Sequence, residues 1–244
     1  METVDYDGAL ANAYATHRVV HPVVAERLAS VLTPTSVALE VGCGTGNYLR
    51  ALRASADCDC VGIDPSTAML AKARSMADPR VRLIGGRAER LELPDGAFDL
   101  VFSVDVIHHV HDRPAAFREA VRVMRGGAHA CTVTDSESVI RRRLLSRYFP
   151  ETVDVELARY PSVETLRDEM TAAGLRSIRE EEVAHDFEVV DAHPFREKVF
   201  SSLLFIGDDA FARGLARLEA DLQRGPLVLT ARCTMLWGQH ERTT

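Results

Sequence analysis

Short apolar runs alternate along this chain with stretches whose apolar positions recur every three or four residues. The runs Val37–Val41, Cys60–Asp64, Val81–Ile84, Phe98–Val104 and His129–Thr134 predict strands, because a strand buried on both faces reads as a near-continuous apolar segment. Between them, Asn47–Ala54, Thr67–Ala77 and Pro114–Val123 predict helices. Such alternation implies right-handed crossovers and a parallel sheet covered on both faces. Leu93-Pro94-Asp95-Gly96 is a turn signal leading into the fourth strand. Upstream, Val19, Val23, Val24, Leu28 and Leu32 fall at helical spacing, so residues 1–35 predict a helical entry segment. Downstream, residues 136–161 predict an irregular or helical insertion, and Val163–Ala173 a helix stopped by Gly174. A strand then starts near Leu175, residues 194–223 read as helical, and Leu227–Trp237 as a last strand. The excursion before that strand is longer than a hairpin needs. The two insertions, 136–161 and 191–226, are expected to wall or lid a pocket.

The most informative segment is Val37–Leu49, VALEVGCGTGNYL. A strand passes through three glycines, Gly42, Gly44 and Gly46, into a helix start. This geometry brings backbone N–H groups up against a nucleotide-like ligand. The pattern is E-x-G-x-G-x-G, and Asn47 stands where the dinucleotide fingerprint has its last glycine. Glu40 just before the glycines would repel a pyrophosphate. It suits S-adenosylmethionine (SAM), whose amino acid end carries an ammonium and whose sulfonium is cationic. Asp64 ends the second strand 18 residues after Gly46, near the distance at which an acid takes ribose hydroxyls in nucleotide-binding βαβ units. The plainer reading is a helix cap, since Pro65 and Ser66 follow.

These motifs, with VGIDPSTAML and FDLVFSVDVIHHV, resemble those of class I SAM-dependent methyltransferases. The similarity is greatest to the small-molecule branch that includes the ubiquinone and menaquinone biosynthesis methyltransferases, and covers about Val37 to Asp135. The resemblance implies an α/β, Rossmann-like, seven-stranded and mostly parallel sheet with helices on both faces and an antiparallel last strand. It implies one methyltransferase domain over 1–244, with a helical lid (1–35), a SAM-binding core (36–135) and substrate-side insertions. SAM would lie at the C-terminal ends of the first strands and leave as S-adenosylhomocysteine (SAH). The cofactor set implied is Tyr14, Arg18, Glu40, Gly42, Cys43, Gly44, Gly46, Asp64, Pro65, Met69, Ala88, Glu89, Ser103 and Asp105. One departure stands out. The family commonly has G-D-A-E after the third strand, where this chain has Gly86-Arg87-Ala88-Glu89. Arg87 cannot accept from an adenine amino group, and either stacks on the base or points to solvent.

Methyl transfer is a displacement at carbon, so a protein needs to align the partners, exclude water and sometimes remove a proton. His108 and His109 follow the fourth strand and are the candidate bases; the alternative is that they shape or underlie the pocket. No metal site is expected. Arg141-Arg142-Arg143, with Arg147 and Tyr148, follows the fifth strand. An anionic acceptor would explain an arginine there, and a solvated helix face is the alternative. Arg141, Arg142, Tyr148 and His185 are taken as the acceptor candidates, with Phe187 and Phe200 as further wall residues.

Bulk properties narrow the field. The 244 residues suffice for one large α/β domain. A net charge of −7 disfavours long nucleic-acid contacts. No signal segment or membrane span is read, so a soluble, cytoplasmic protein is expected, a monomer or homodimer acting on a small molecule. Five cysteines, an odd number, fit a reducing compartment. They are read as structural thiols, against the alternative of arsenic methylation, which needs several converging on one pocket. Other rival readings are a SAM-binding protein without methyl transfer (a cyclase on the same fold or a regulatory binding module), a macromolecule methyltransferase, a dinucleotide oxidoreductase and a spermidine-synthase-like use of the fold. The macromolecule methyltransferase would want a basic face or an N-P-P-Y-like motif where Ser103-Val104-Asp105-Val106 stands.

Overall fold

The computed structural model describes residues 19–75 and 78–241. Its strands are β1 (Val37–Val41), β2 (Asp59–Asp64), β3 (Val81–Gly85), β4 (Phe98–Val104), β5 (Met124–Thr134), β6 (Leu175–Val189) and β7 (Leu227–His240). They form one sheet in the order β3-β2-β1-β4-β5-β7-β6. Strands β1 to β5 are parallel, and β7 lies antiparallel to both β5 and β6. This is the seven-stranded, mostly parallel α/β sheet that the apolar runs and the family resemblance predict. Helices α1 (Pro22–Ala29), α2 (Asn47–Ala56), α3 (Thr67–Arg74), α4 (Arg113–Val123) and α8 (Val163–Ala172) flank it.

The strands are apolar on both sides because each side feeds a different core. Ala38, Cys60, Leu100, Phe102, Cys131 and Trp237 face one cluster, with Leu28 of α1 and Leu49 and Leu52 of α2. Their neighbours Leu39, Val61, Val101, Ala130 and Leu236 face the other, with Phe117 of α4 and Leu166 and Met170 of α8. Successive side chains on a strand point to opposite faces, so this alternation fixes the register. All five cysteines belong to the first cluster. The Cys58 and Cys60 sulfurs lie 3.8 Å apart inside it.

After β5 the chain forms three short helices, α5 (Glu137–Arg142), α6 (Leu144–Tyr148) and α7 (Thr152–Arg159). After β6 come α9 (His193–Arg196), a 3-10 turn (Ser201–Leu204) and α10 (Asp208–Leu222). The two insertions pack on each other through a third core of Leu145, Tyr148, Phe149, Phe195, Leu203 and Leu218. Helix α10 approaches α6 so closely that a Cβ on Gly214 would lie 2.7 Å from the Tyr148 carbonyl oxygen.

Some boundaries differ from the sequence reading. Strand β5 starts at Met124 rather than His129, since Met124 pairs with Phe98 across a register shift; Gly126 and Gly127 in between mask the strand signal. Helix α3 stops at Arg74, where the Ser75 hydroxyl donates to the Lys72 carbonyl. The stretch 194–223 is broken in three: Lys198 takes a left-handed φ of 48° and Gly207 caps α10. Val19, read as part of the entry helix, precedes it and is 83% exposed. His21 caps α1 instead, its Nδ1 accepting from the Val24 amide.

Candidate functional site

The strand order reverses at β1, whose neighbours are β2 on one side and β4 on the other. In open α/β sheets the crevice at the C-terminal ends of such strands is the ligand site. Here the turn after β1 is clipped to β2: the Gly42 and Cys43 amides both donate to the Ile63 carbonyl, at 2.7 and 2.9 Å. The Gly44 amide donates to Asp64 Oδ2 and the Ser66 amide to Asp64 Oδ1, each at 2.8 Å. One carboxylate therefore ties the glycine turn to the second strand. The helix cap after it is Ser66, whose hydroxyl accepts from the Met69 amide at 3.1 Å. Asp64 is buried, and Pro65 beside it is exposed.

Glycine is required at two points of the turn for different reasons. Gly42 has φ +75°, and a Cβ there would collide with the side chain of Val106 in the β4 turn. Gly44 has φ +51° with open space where its Cβ would be. The turn thus seals against β4 at Gly42 and opens a backbone cradle at Gly44. Gly46, with φ 73°, starts α2. Glu40 is buried at the end of β1. Burial first, then the charges of Glu40 and Asp64, push the Cys43 thiol far up, so it is a neutral packing group. Met69 is packed away beneath the start of α3.

On the β3 side, Ala88 and Glu89 are half-buried. Glu89 Oε1 accepts from the His111 amide at 3.1 Å. Arg87 is two-thirds exposed and lies 3.6 Å from Glu89. On the β4 side, Ser103 is buried. Asp105 adopts a left-handed φ of 56°, its amide donating to the Val133 carbonyl at 3.0 Å. A non-glycine residue in that region marks backbone held by its surroundings, a feature that clusters at functional sites. The 3-10 turn Ile107–His109 follows. His108 lies against His109 and stacks on Tyr160, both at 4.0 Å between ring centroids.

The acceptor candidates fare differently. Arg141 pairs with Glu137 on an exposed helix face. Arg142 pairs with Glu182 of β6. Tyr148 is buried in the third core, its hydroxyl donating to Asp221 at 2.7 Å. His185 lies exposed on β6, edge-on to His21 at 5.9 Å. The polar ends of Arg141, Arg142 and Tyr148 thus meet surface or scaffold partners. Phe187 and Phe200 are partly exposed. Tyr14 and Arg18 lie outside the described residues.

The arginine that turns inward is Arg143, between α5 and α6. It pairs with Asp135 at 2.5 Å and with Glu156 at 2.9 Å. Asp135 is the first residue past β5, and Tyr160 follows α7. Sequence reasoning named Arg143 only as part of its arginine run and passed over Asp135, Glu156 and Tyr160, yet two signals were present. Asp135 repeats the acid-at-strand-end placement of Asp64, and Arg143 falls four and three residues after the buried Val139 and Ile140. Gly62 was also passed over: a Cβ there would lie 2.6 Å from Leu49 and 2.7 Å from the Cys43 sulfur, so it sets how closely α2 and the turn approach β2. Among the described residues, no three His, Cys, Asp or Glu side chains gather as metal ligands. No helix among them is long and apolar enough to cross a membrane.

Residues 39–132 match the family model described as methyltransferase domain. A segment of 95 residues, 37% of this chain and 33% of the relative, is 37% identical to ajmaline N-methyltransferase of Rauvolfia serpentina. A segment of 106 residues, 43% of this chain and 38% of the relative, is 38% identical to a probable S-adenosylmethionine-dependent methyltransferase of Mycobacterium tuberculosis. The matches thus span between a third and two fifths of these relatives' own length. In fold, the chain is similar to a solved structure described as a methyltransferase from an antibiotic biosynthesis pathway of Anabaena variabilis. The TM-score is 0.73 at 23% identity, over 91% of this chain and 98% of that one.

Proposed function

We propose that this chain, whose core is a class I SAM-dependent methyltransferase domain, transfers a methyl group from SAM to a small-molecule acceptor. The observation that carries this reading is the Asp64 carboxylate, oriented by the Gly44 and Ser66 amides beside an open glycine cradle. The donor set fits the ligand. Acids stand at the ends of β1, β2 and β4, as Glu40, Asp64 and Asp105, and acids suit a cationic sulfonium and ammonium. When bound, SAM supplies a methyl already activated by its positive sulfur.

The chain's own residues then have these tasks. Asp64 takes the ribose hydroxyls with its remaining lone pairs, and Pro65 and Met69 shape the wall beside it. Gly42, Cys43, Gly44 and Gly46 supply close backbone approach, while Glu40 takes the ammonium of the methionine end, and Tyr14 and Arg18 serve that same end, Arg18 suiting its carboxylate. Ala88 and Glu89 border the base. Ser103 and Asp105 line the floor next to the transferred methyl. His108, fixed by Tyr160, accepts the acceptor's proton, with His109 as its neighbour. The insertions 136–161 and 191–226 exclude water and select the acceptor, in one domain with the 1–35 lid. A small molecule is favoured because the relative from Rauvolfia acts on ajmaline and because a chain of net charge −7 offers little to nucleic acid.

The test is incubation of the protein with methyl-labelled SAM and an extract of its source cells, followed by separation by size. Label in the small-molecule fraction is the expected result. Label in RNA or protein, or SAM bound without any transfer, contradicts the reading.

A further inference from the structure

Away from the cleft, a groove of about 140 Å³ opens between α2 and α3 over β3. Gly46 and Arg50 at the start of α2, Ala73 and Arg74 at the end of α3, and Val81 and Leu83 of β3 line it. A Cβ on Gly46 would lie 3.6 Å from both the Ala73 Cβ and Arg50 Nη1, so the Arg50 guanidinium stands where the two helices meet. The groove lies below the level of the cleft. Val81 and Leu83 pair with Cys60 and Gly62, whereas Asp64 of the cleft pairs with Gly85. At about 3.3 Å per residue, Leu83 is about 7 Å and Val81 about 13 Å down the strand from that level.

The charges on the groove are out of balance. Most arginines among the described residues meet a carboxylate, as Arg53, Arg80 and Arg122 do. Arg50 instead donates to the Thr45 carbonyl at 2.8 Å and to the Asn47 side chain. Arg74 donates to the Leu83 carbonyl at 3.4 Å. A guanidinium carries five N–H donors, so most of theirs are left for a ligand. The acid on the groove, Asp78, is already engaged. Its Oδ2 accepts from Arg53 Nε at 3.0 Å and its Oδ1 from the Arg80 amide at 2.8 Å. Burial also holds Arg50 below its ordinary pKa, against the pull of Glu40, and a cation so placed gains from an anion beside it.

Beside the two guanidiniums the lining is apolar, from Ala73, Val81 and Leu83. A cavity of about 150 Å³ admits one benzene ring, so a body of that size suits the groove. Structural duties account for part of the two arginines. Arg50 tethers the glycine turn, and Arg74 in the last turn of α3 meets the negative end of the helix dipole. Neither duty explains why both line one open groove without a carboxylate.

We propose that this groove is a second ligand site, separate from the SAM cleft. Arg50 and Arg74 hold the oxyanion head, carboxylate or phosphate, of a ring-sized organic anion whose apolar body lies on Ala73, Val81 and Leu83.

Benzoate and phenyl phosphate are the probes, with benzyl alcohol and benzylamine as controls. Ligand-detected NMR titration of the full chain saturated with SAH gives the dissociation constants. Both anions should bind about tenfold tighter than either control, as charge-assisted hydrogen bonds warrant. The tighter of the two tells a carboxylate ligand from a phosphate one. Arg74→Gln should weaken both anions about fivefold and leave benzyl alcohol unchanged. Arg74→Glu should abolish anion binding and favour benzylamine, an exchange that a merely structural role would not produce. Arg50→Gln is the independent second variant and should weaken the anions likewise. Arg118→Gln, which removes an exposed arginine of α4 on the other face of the sheet, controls for net charge. Anions that bind no better than benzyl alcohol overturn the inference, as do equal effects of Arg74→Gln and Arg118→Gln. Anions displaced by SAH overturn it too, for they would then sit in the cofactor cleft. If the chain binds no SAH, the methyltransferase reading fails, and the comparison of Arg74→Gln with Arg118→Gln still decides this one.

Discussion

Tyr160 lies stacked on His108, ring centroids 4.0 Å apart and planes 20° from parallel. One residue comes from the turn after β4 and the other from the end of the first insertion, so the stack joins the β4 turn to that insertion. If His108 removes a proton, His108→Ala should lower turnover about 100-fold or more, in the range of positioned general bases. SAM affinity should stay within twofold. Tyr160→Phe keeps the stack and should retain turnover, whereas Tyr160→Ala should not. Single-turnover rates with titrated SAM check all three. A loss confined to His109→Ala would move the role to His109.

Gly62→Ala should reduce SAM affinity and stability together. The new methyl meets Leu49 of α2 and Cys43 of the glycine turn, and overpacking costs about 1–3 kcal/mol. Chemical denaturation and SAH titration of the same sample measure both.

Gly214→Ala should destabilise without touching SAM affinity. In most helices this change is favourable by about 1 kcal/mol, but here the methyl runs into Phe149 and the Tyr148 carbonyl. A midpoint shifted to lower denaturant with unchanged SAH binding is the expected pair of results.

Acidification should destabilise the fold before any carboxylate titrates. Burial, partly offset by the Ala231 carbonyl and reinforced by His185, holds His21 below its ordinary pKa of 6.5. Burial and then Arg179 do the same to His129. A histidine with a lowered folded pKa contributes stability that is complete above 6.5 and lost as pH falls from there through the folded value. Protonation of His21 also removes the Nδ1 acceptor that caps α1. Melting temperature should therefore drop between pH 7.5 and 5.5, and His21→Asn, which keeps a cap acceptor, should flatten that slope.

The sheet was legible in the sequence because burial on both faces writes an apolar run, and five such runs sit at crossover spacing. The glycine turn and Asp64 were legible because close approach leaves no substitute for glycine. The acceptor side was not. Arg141, Arg142 and Arg143 are chemically identical, and only the break between α5 and α6 sends the third one inward. Tyr148 reads as a pocket aromatic until α10 brings Asp221 to its hydroxyl. Lys198 carries no mark of the left-handed φ that divides the second insertion. Each of these depends on which distant segment packs nearby, which local pattern does not record.

The most direct test of the account is calorimetric titration of SAH into the wild type, Asp64→Asn and Asp64→Ala. The account predicts clear binding by the wild type, and a loss of about 1.5–3 kcal/mol in Asp64→Ala from charge-assisted hydrogen bonds. Asp64→Asn, which can still accept from the Gly44 amide, should fall between. No binding by the wild type, or equal affinity in all three, would contradict it.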